Sequence, residues 1–283
     1  MIQDEKKGEG HVIHNLNDAF SVLEAVRADE RLPAHETLED MKGFSPRIEY
    51  LIEHHRDYLL RYDIRLPFDA KESNTEALFS LFSLLTAKLF ASSGCTNFFM
   101  LHLVTGMRAL KVSLRASSAP PEVTLRALRY FWRAALFAYI AEGCKQVFDI
   151  DQKGVDAISS WDCLSRFRKA TSSDIDIHFH PAMKDIVDVN AGKERGPATL
   201  KEIQELAIAG RDSHLAKVIF VLLSEGEENP EESGLYDTIA CATLERYTRL
   251  GWTFFGQDAT PRHPHHAPTS TTTPPPPTGV SRV

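Results

Sequence analysis

The chain has 283 residues, of which 43% are apolar and 25% are charged, and its formal net charge at pH 7 is -7. This much apolar surface can offset the chain entropy lost on folding, so we predict a folded protein rather than a disordered one. The chain is net acidic and has no Lys/Arg-rich block, so we predict that it does not bind nucleic acid.

Cysteine usage and the N-terminal sequence indicate a reducing compartment. The four cysteines are scattered and form no CxxC pair, unlike the dense disulfide frameworks of secreted domains. Residues 1–10 are polar and charged and lack the apolar core of a signal peptide. The longest apolar stretches are broken well before the ~20 residues that a membrane-spanning helix needs. We therefore expect a cytoplasmic protein that does not contact a membrane, and the sequence leaves its oligomeric state open.

Apolar residues recur at helical spacing in the first third of the chain. A stripe over residues 16–28 predicts the first helix. Ser45-Pro46 has the residue types of an N-cap and a first helical position, which predicts the start of the second helix. Ser73-x-x-Glu76 has the form of a capping box, and Gly94 is a natural stop, so a third helix is expected between them.

The next two predicted helices are the most apolar of the chain. Residues 97–114 and 122–142 are apolar on nearly every face, which is typical of helices buried in the middle of a fold. Two later helices are predicted, one capped by Asp212 or Ser213 and one over residues 236–250. Helical periodicity in so many segments predicts an all-α fold.

The composition changes abruptly at Gln257. Residues 257–283 are rich in Pro and Thr and have no apolar periodicity, so they cannot bury a core. We predict that they form a disordered, partly polyproline C-terminal tail. Residues 1–256 are then expected to form a single globular helical domain.

The familiar cofactor-binding loops are absent from the sequence. It contains no GxGxxG, GxxxxGK[ST] or GxSxG motif, which excludes a βαβ dinucleotide-binding domain with its glycine-rich loop.

Residues 174–180 alternate two aspartates and two histidines with apolar residues. In an extended conformation these four polar side chains would share one face and could hold a metal. A half-buried strand whose polar side faces water gives the same alternation. We predict that the protein has no resident metal.

Histidines on the predicted helices are candidates for chemistry. His102 lies within an otherwise apolar helix, where a buried imidazole must be hydrogen-bonded or face a cavity. His214 lies near the start of a later helix, and His55 lies on the core face of the second helix. Each also has an ordinary explanation, as a hydrogen-bonded core histidine for His102 and His55 and as a surface capping residue for His214.

The segment Arg129-Tyr-Phe-Trp132-Arg133 places two cations and three aromatic rings within two helical turns. Residues three and four apart are neighbours on a helix surface, so these side chains could grip an anionic planar ligand by charge and stacking. They could equally form a helix boundary that packs against acidic neighbours. The sequence leaves both alternatives open.

Three of these segments together resemble a known family. The run Asn97-Phe-Phe-Met-Leu-His102-Leu-Val-Thr105-Gly is similar to the FFLLHLLTG type of helix in questin oxidase-like proteins. Residues 128–143 are similar to the arginine-aromatic helix that follows it there, and Asp212-Ser-His214-Leu-Ala-Lys217 matches the family's late Asp-x-His-x-x-Lys helix. The three segments occur in the family's order and cover roughly residues 95–225.

The resemblance implies an NADPH-linked oxidoreductase of fungal polyketide metabolism. It implies a monooxygenase reaction of the Baeyer–Villiger type on a small aromatic polyketide, a polycyclic ketone. Such chemistry inserts oxygen beside a ketone, so it needs a group that polarises the carbonyl. On this hypothesis the catalytic residues are His102, Arg129 and His214. The residues that bind the substrate are Trp132, Thr105 and Arg133. Lys217 contacts NADPH.

The resemblance leaves two further interpretations open. Family members are usually longer, with an N-terminal region rich in histidine and aromatic residues that the short start around His11 and His14 does not replace. The chain is therefore expected to correspond to the C-terminal portion of the family, and it could be an inactive truncated paralogue. It could also be a non-catalytic helical binding or scaffold protein. The enzymatic interpretation requires His102, Trp132 and His214 to converge on one cavity.

Overall fold

The computed structural model describes residues 11–32, 38, 40–41, 43–66, 75–144, 200–209 and 211–253. Within these residues the chain is mainly helical, which confirms the all-α prediction. The described helices are α1 Leu16–Arg27, α2 Phe44–Leu59, α3 Thr75–Ser92, α4 Met100–Ala116, α5 Pro121–Ala141, α6 Leu200–Ala209, α7 Ser213–Glu228 and α8 Ser233–Leu250. Short 3-10 turns at Leu60–Tyr62 and Pro230–Glu232 follow α2 and precede α8.

Two helix ends show the cap chemistry that the sequence predicts. The Asp212 Oδ1 atom accepts the backbone N–H groups of His214 at 2.8 Å and Leu215 at 2.9 Å, so Asp212 is the N-cap of α7. Gly94 follows α3 with a φ of 96°, a left-handed conformation that a side chain disfavours. The segments that precede α4 and α7 are therefore fixed by local interactions.

Two predictions about the early helices are wrong. Helix α2 begins at Phe44, so Ser45-Pro46 lies inside its first turn instead of marking its cap. Helices α4 and α5 are not buried on every face, because Val112 of α4 is 47% exposed and Tyr130 of α5 is 59% exposed. Lys111, next to Val112, is buried instead, since its ammonium group is paired with carboxylates of α7. Apolar composition alone did not reveal which side of α4 faces its neighbours.

The core lies where α3, α4 and α5 pack together, and α4 and α3 also pack against the closely packed pair of α7 and α8. Helix α6 packs on both helices of that pair. Fully buried side chains come from every layer, including Phe82, Leu85, Leu128, Leu222 and Ala240. Among the described helices, α3 has the length and hydropathy of a membrane span, but half of it is buried in this core, as a core helix requires.

A short parallel strand pair ties the N-terminal segment to the segment after α2. Strand β1 (His11–Val12) lies beside β2 (Ile64–Arg65). The backbone N–H of Ile13 donates to the Arg65 carbonyl at 3.1 Å, and both Ile13 and Ile64 are fully buried. Strands of two residues are too short to give a periodic signal, so the sequence did not predict them.

Several predicted features lie outside the described residues. These are the Asp/His alternation over residues 174–180, the capping residue Ser73 and the tail over residues 257–283. The metal-face hypothesis and the disordered tail stay predictions.

Candidate functional site

Two of the predicted site residues, His102 and His214, come together where α4 and α7 begin. Their ring centroids lie 5.5 Å apart. His102 is exposed, and the side chain of His214 is 34% exposed. Both imidazoles can therefore be reached by a ligand, although neither ring is hydrogen-bonded to the other in the arrangement described.

An aromatic ring borders both imidazoles. The Phe98 ring centroid lies 4.9 Å from that of His102 and 4.9 Å from that of His214, in edge-on geometry. The Trp252 ring lies behind it, with its centroid 6.3 Å from that of Phe98. Such edge-to-face clusters hold rings in defined positions. The histidine pair thus has an apolar, flat neighbour that suits a planar ligand.

The hydrogen bond of His102 defines which of its ring nitrogens can meet a ligand. Its Nδ1 atom lies 2.7 Å from the Phe98 carbonyl oxygen. A carbonyl oxygen can only accept, so Nδ1 carries the hydrogen in this bond. The remaining nitrogen, Nε2, is then the atom at which His102 can accept a proton or, when protonated, donate one.

Asp212 holds the His214 side of the site. Its Oδ1 atom lies 3.8 Å from His214 Nδ1, which is too far for a hydrogen bond but close enough for a charge interaction. Its Oδ2 atom accepts the Tyr247 hydroxyl at 3.1 Å and the Trp252 indole N–H at 3.2 Å. Both carboxylate oxygens are therefore held, and the carboxylate stays next to the His214 ring.

Two further predicted site residues, Thr105 and Lys217, lie one helical turn after His102 and His214. The Thr105 hydroxyl donates to the Leu101 carbonyl at 3.2 Å, inside its own helix. Lys217 is exposed on α7, three residues after His214. The substrate role of Thr105 and the cofactor role of Lys217 stay predictions.

The arginine-aromatic cluster of α5 binds an acidic residue of the chain itself. The Arg129 Nε atom lies 2.8 Å from Asp63 Oδ2, and the Arg133 guanidinium contacts the same oxygen. Trp132 is 1% exposed and donates its indole N–H to the Tyr62 carbonyl at 3.0 Å. Burial raises the pKa of Asp63, but the hydrogen bonds from Arg133 and Arg129 outweigh it and hold that pKa below its ordinary value. These contacts anchor the segment after α2 on α5, and the ligand role of the three residues stays a prediction. Among the described contacts none joins Trp132 to His102 or His214, so the structure brings together only the two histidines of the three expected to converge.

We expect Arg129→Ala to act on stability and not on substrate binding. The substitution removes one of two cations from a buried carboxylate, so the free energy of unfolding should fall by about 1–2 kcal/mol. Urea denaturation measures this loss, with Arg126→Ala, an exposed arginine of the same helix, as the matched control. A severalfold rise in KM for the ketone with unchanged stability would instead support a role of Arg129 in ligand binding.

A surface depression on α2 lies away from the histidine pair, and the described residues contain no cluster suited to a metal. The lining of the depression is mainly charged and aromatic: Ile52, Glu53, His54, Arg56, Asp57, Tyr58 and Arg61. Small-molecule sites are mostly apolar with a few placed polar groups, which fits the surroundings of His102 better. His55 is half-buried on the same helix, and burial, then the neighbouring His54, lowers its pKa. Within the described ranges, no group of three His, Cys, Asp or Glu is placed to hold a metal ion.

The fold and the site define an all-α protein whose paired imidazoles lie at the junction of two helix starts. The family model described as questin oxidase-like matches residues 3–222, which is most of the chain. The chain therefore belongs to the questin oxidase-like family, and this membership implies an oxidoreductase of secondary metabolism. The match extends well ahead of residue 95, where the motif resemblance begins, and stops before α8. No curated protein and no solved structure matches the chain.

Proposed function

We propose that this protein catalyses an NADPH-linked, Baeyer–Villiger-type oxidation of a polycyclic aromatic ketone. The family supplies the reaction class, an oxidoreductase. The observation that carries the site is the pair of His102 and His214, with ring centroids 5.5 Å apart and Phe98 in contact with both.

The geometry suits a planar ketone whose rings lie against Phe98 and whose carbonyl oxygen points to the imidazoles. The protonated Nε2 of His102 would donate a hydrogen bond to that oxygen, because Nδ1 is already committed to the Phe98 carbonyl. This bond draws electron density from the carbonyl carbon and stabilises the charge that develops on oxygen. His214, oriented beside the Asp212 carboxylate, would hold or transfer a proton during the same reaction.

The overall reaction balances with molecular oxygen and NADPH as co-substrates. One oxygen atom enters the carbon–carbon bond beside the carbonyl and gives an ester. The other leaves as water with the two electrons of NADPH and a proton from solvent. Arg129 has no role in this proposal, because its guanidinium is bonded to Asp63.

Lys217 is the residue that we assign to NADPH. NADPH supplies a hydride when bound, and the exposed ammonium group of Lys217 would contact one of its phosphates. A helix N-terminus often binds phosphate, but at α7 Asp212 already accepts two of the free N–H groups and adds negative charge. The described surroundings of His214 therefore favour the aromatic ketone over the phosphates.

Turnover under oxygen-18 gas tests the proposal. Purified protein with NADPH and an anthraquinone-type ketone should oxidise NADPH in step with formation of a product that carries one oxygen-18 atom in its ester group. NADPH absorbance and mass spectrometry of the product measure this, and omission of protein or of oxygen provides the controls. If a panel of such ketones gives no product, the proposed reaction is wrong. A ketone that raises the melting temperature without turnover would then support a non-catalytic binding protein.

A further inference from the structure

Residues 251–253, which we call the clasp segment, follow α8 and lie against the segment that leads into α4. The Thr253 backbone N–H donates to the Thr96 carbonyl at 2.8 Å, and the Phe98 N–H donates to the Thr253 carbonyl at 3.0 Å. These bonds form a short parallel bridge between Asn97 and Thr253. The clasp segment is thus fixed to the backbone that carries Phe98.

The same segment also reaches the start of α7. Trp252 is 7% exposed, and its indole N–H donates to Asp212 Oδ2 at 3.2 Å. Tyr247, in the last turn of α8, donates its hydroxyl to the same oxygen at 3.1 Å, and its ring centroid lies 4.9 Å from that of Trp252. Gly251 turns the chain between them with a φ of 67°. Two donors of the C-terminal region therefore hold one carboxylate oxygen.

These contacts connect the two imidazoles through the clasp segment. His102 Nδ1 donates to the Phe98 carbonyl, and the Phe98 N–H donates to the clasp backbone. On the other side, Trp252 donates to Asp212, whose second oxygen caps α7 beside the His214 ring. A shift of the clasp segment would therefore move both histidine-bearing segments relative to each other.

We infer that Tyr247 and Trp252 are positioning residues that set the spacing and orientation of His102 and His214, acting through Asp212. The catalytic meaning of this spacing rests on the proposed function, whereas the contacts themselves do not. Both residues lie beyond residues 3–222, the part of the chain that the family model matches. Segments outside the matched part thus complete the site.

Trp252→Phe and Tyr247→Phe test the inference, because each keeps an aromatic ring and removes one donor. The full chain is treated with diethyl pyrocarbonate at fixed pH, and peptide mass spectrometry follows modification of each histidine separately. We expect the rate at His214 to rise roughly three- to tenfold, the factor by which loss of one hydrogen bond shifts a local equilibrium. His54, exposed on α2, is the internal reference and should react at its wild-type rate.

Tyr236→Phe is the matched control on the same helix. Tyr236 is buried, and among the described atoms its hydroxyl has no hydrogen-bond partner, so its removal should leave the His214 rate unchanged. The inference is overturned if the His214 rate stays at the wild-type value in both Trp252→Phe and Tyr247→Phe. It is also overturned if His54 accelerates as much as His214, since that indicates general loosening.

A second readout separates this inference from the proposed reaction. With an active ketone substrate, both variants should lower kcat and leave KM unchanged, and in a His214→Ala background they should have no further effect. An undiminished kcat loss in that background would contradict positioning through His214. If modification rates change as expected but the wild type shows no turnover, the positioning role stands and the proposed function falls.

Discussion

Replacing His102 or His214 with alanine is expected to lower kcat by about 10²-fold or more, the contribution of a positioned proton donor or acceptor. Each substitution removes one imidazole from the pair and leaves the apolar surface of Phe98 in place. The helices should remain folded, because His102 is exposed and His214 is only partly buried. KM for the ketone should change less than kcat, since the bond to the carbonyl strengthens in the transition state.

His54→Ala is a close control for His102→Ala. His54 is also an exposed helical histidine, its Nδ1 atom lies 3.0 Å from the carbonyl oxygen four residues earlier, and its ring stacks on Tyr50 at 4.4 Å. His54 is not part of the His102–His214 pair, so kcat of His54→Ala should stay at the wild-type value. Equal kcat in the wild type, His102→Ala and His214→Ala would remove the pair from the mechanism.

Glu225→Ala should lower the free energy of unfolding by about 3–5 kcal/mol, the usual cost of breaking a buried ion pair from one side. The Glu225 carboxylate joins α7 to α4, with Oε2 lying 2.8 Å from Lys111 Nζ and Oε1 lying 3.0 Å from an Arg108 nitrogen. Lys111 is 1% exposed and Glu225 is 2% exposed. Removing the carboxylate leaves the buried Lys111 ammonium group with Glu228 at 2.8 Å. Glu228 compensates it less well, because its side chain is 31% exposed and also pairs with Arg108 and Arg115.

Urea denaturation of matched variants measures this effect. Glu76 contacts Arg115 at the outer end of the same network and its side chain is 57% exposed, so Glu76→Ala should cost only about 0–1 kcal/mol. Replacing both members, as Lys111→Met with Glu225→Leu, should cost less than Glu225→Ala alone, because no buried ammonium group remains that has lost one of its two carboxylates. Similar losses for Glu225→Ala and Glu76→Ala would show that burial does not decide the energetics here.

The network of Lys111, Arg108, Arg115 and Glu228 also makes the free energy of unfolding depend on pH. Burial raises the pKa of Glu228, but hydrogen bonds from Lys111, Arg115 and Arg108 outweigh it and lower the pKa to about 2. A carboxyl with a depressed folded-state pKa stabilises the fold above its ordinary value of 4.5, and this contribution is lost as pH falls from there towards 2. The stability difference between wild type and Glu225→Ala should therefore be measured near neutral pH.

The sequence predicted the helices wherever local signals were sufficient. Apolar spacing located α1 and α5, and the Asp212 side chain caps α7 as its residue type suggests. The exposed side of α4 could not be predicted, because burial of Lys111 depends on carboxylates more than a hundred residues away. Partners so distant leave no periodic trace in the sequence.

The site was predictable only in part for the same reason. His102 and His214 could be selected from motifs, but their approach to 5.5 Å depends on how α4 packs against α7. The sequence could not decide whether Arg129 binds a ligand or packs against an acidic neighbour, because its partner Asp63 lies 66 residues earlier. The sequence did not point to Tyr247 or Trp252 as site residues, since Tyr247 fits an ordinary apolar stripe and Trp252 follows α8.

The parallel pair of β1 and β2 imposes an order on folding. The whole of α1 and α2 separates the two strands, so their pairing closes a long loop at an entropic cost that two-residue strands do not offset alone. The segment beside β2 is held by Asp63, which is bonded to arginines of α5. The first strand should therefore dock late, once α5 has left the ribosome and immobilised the segment that receives it.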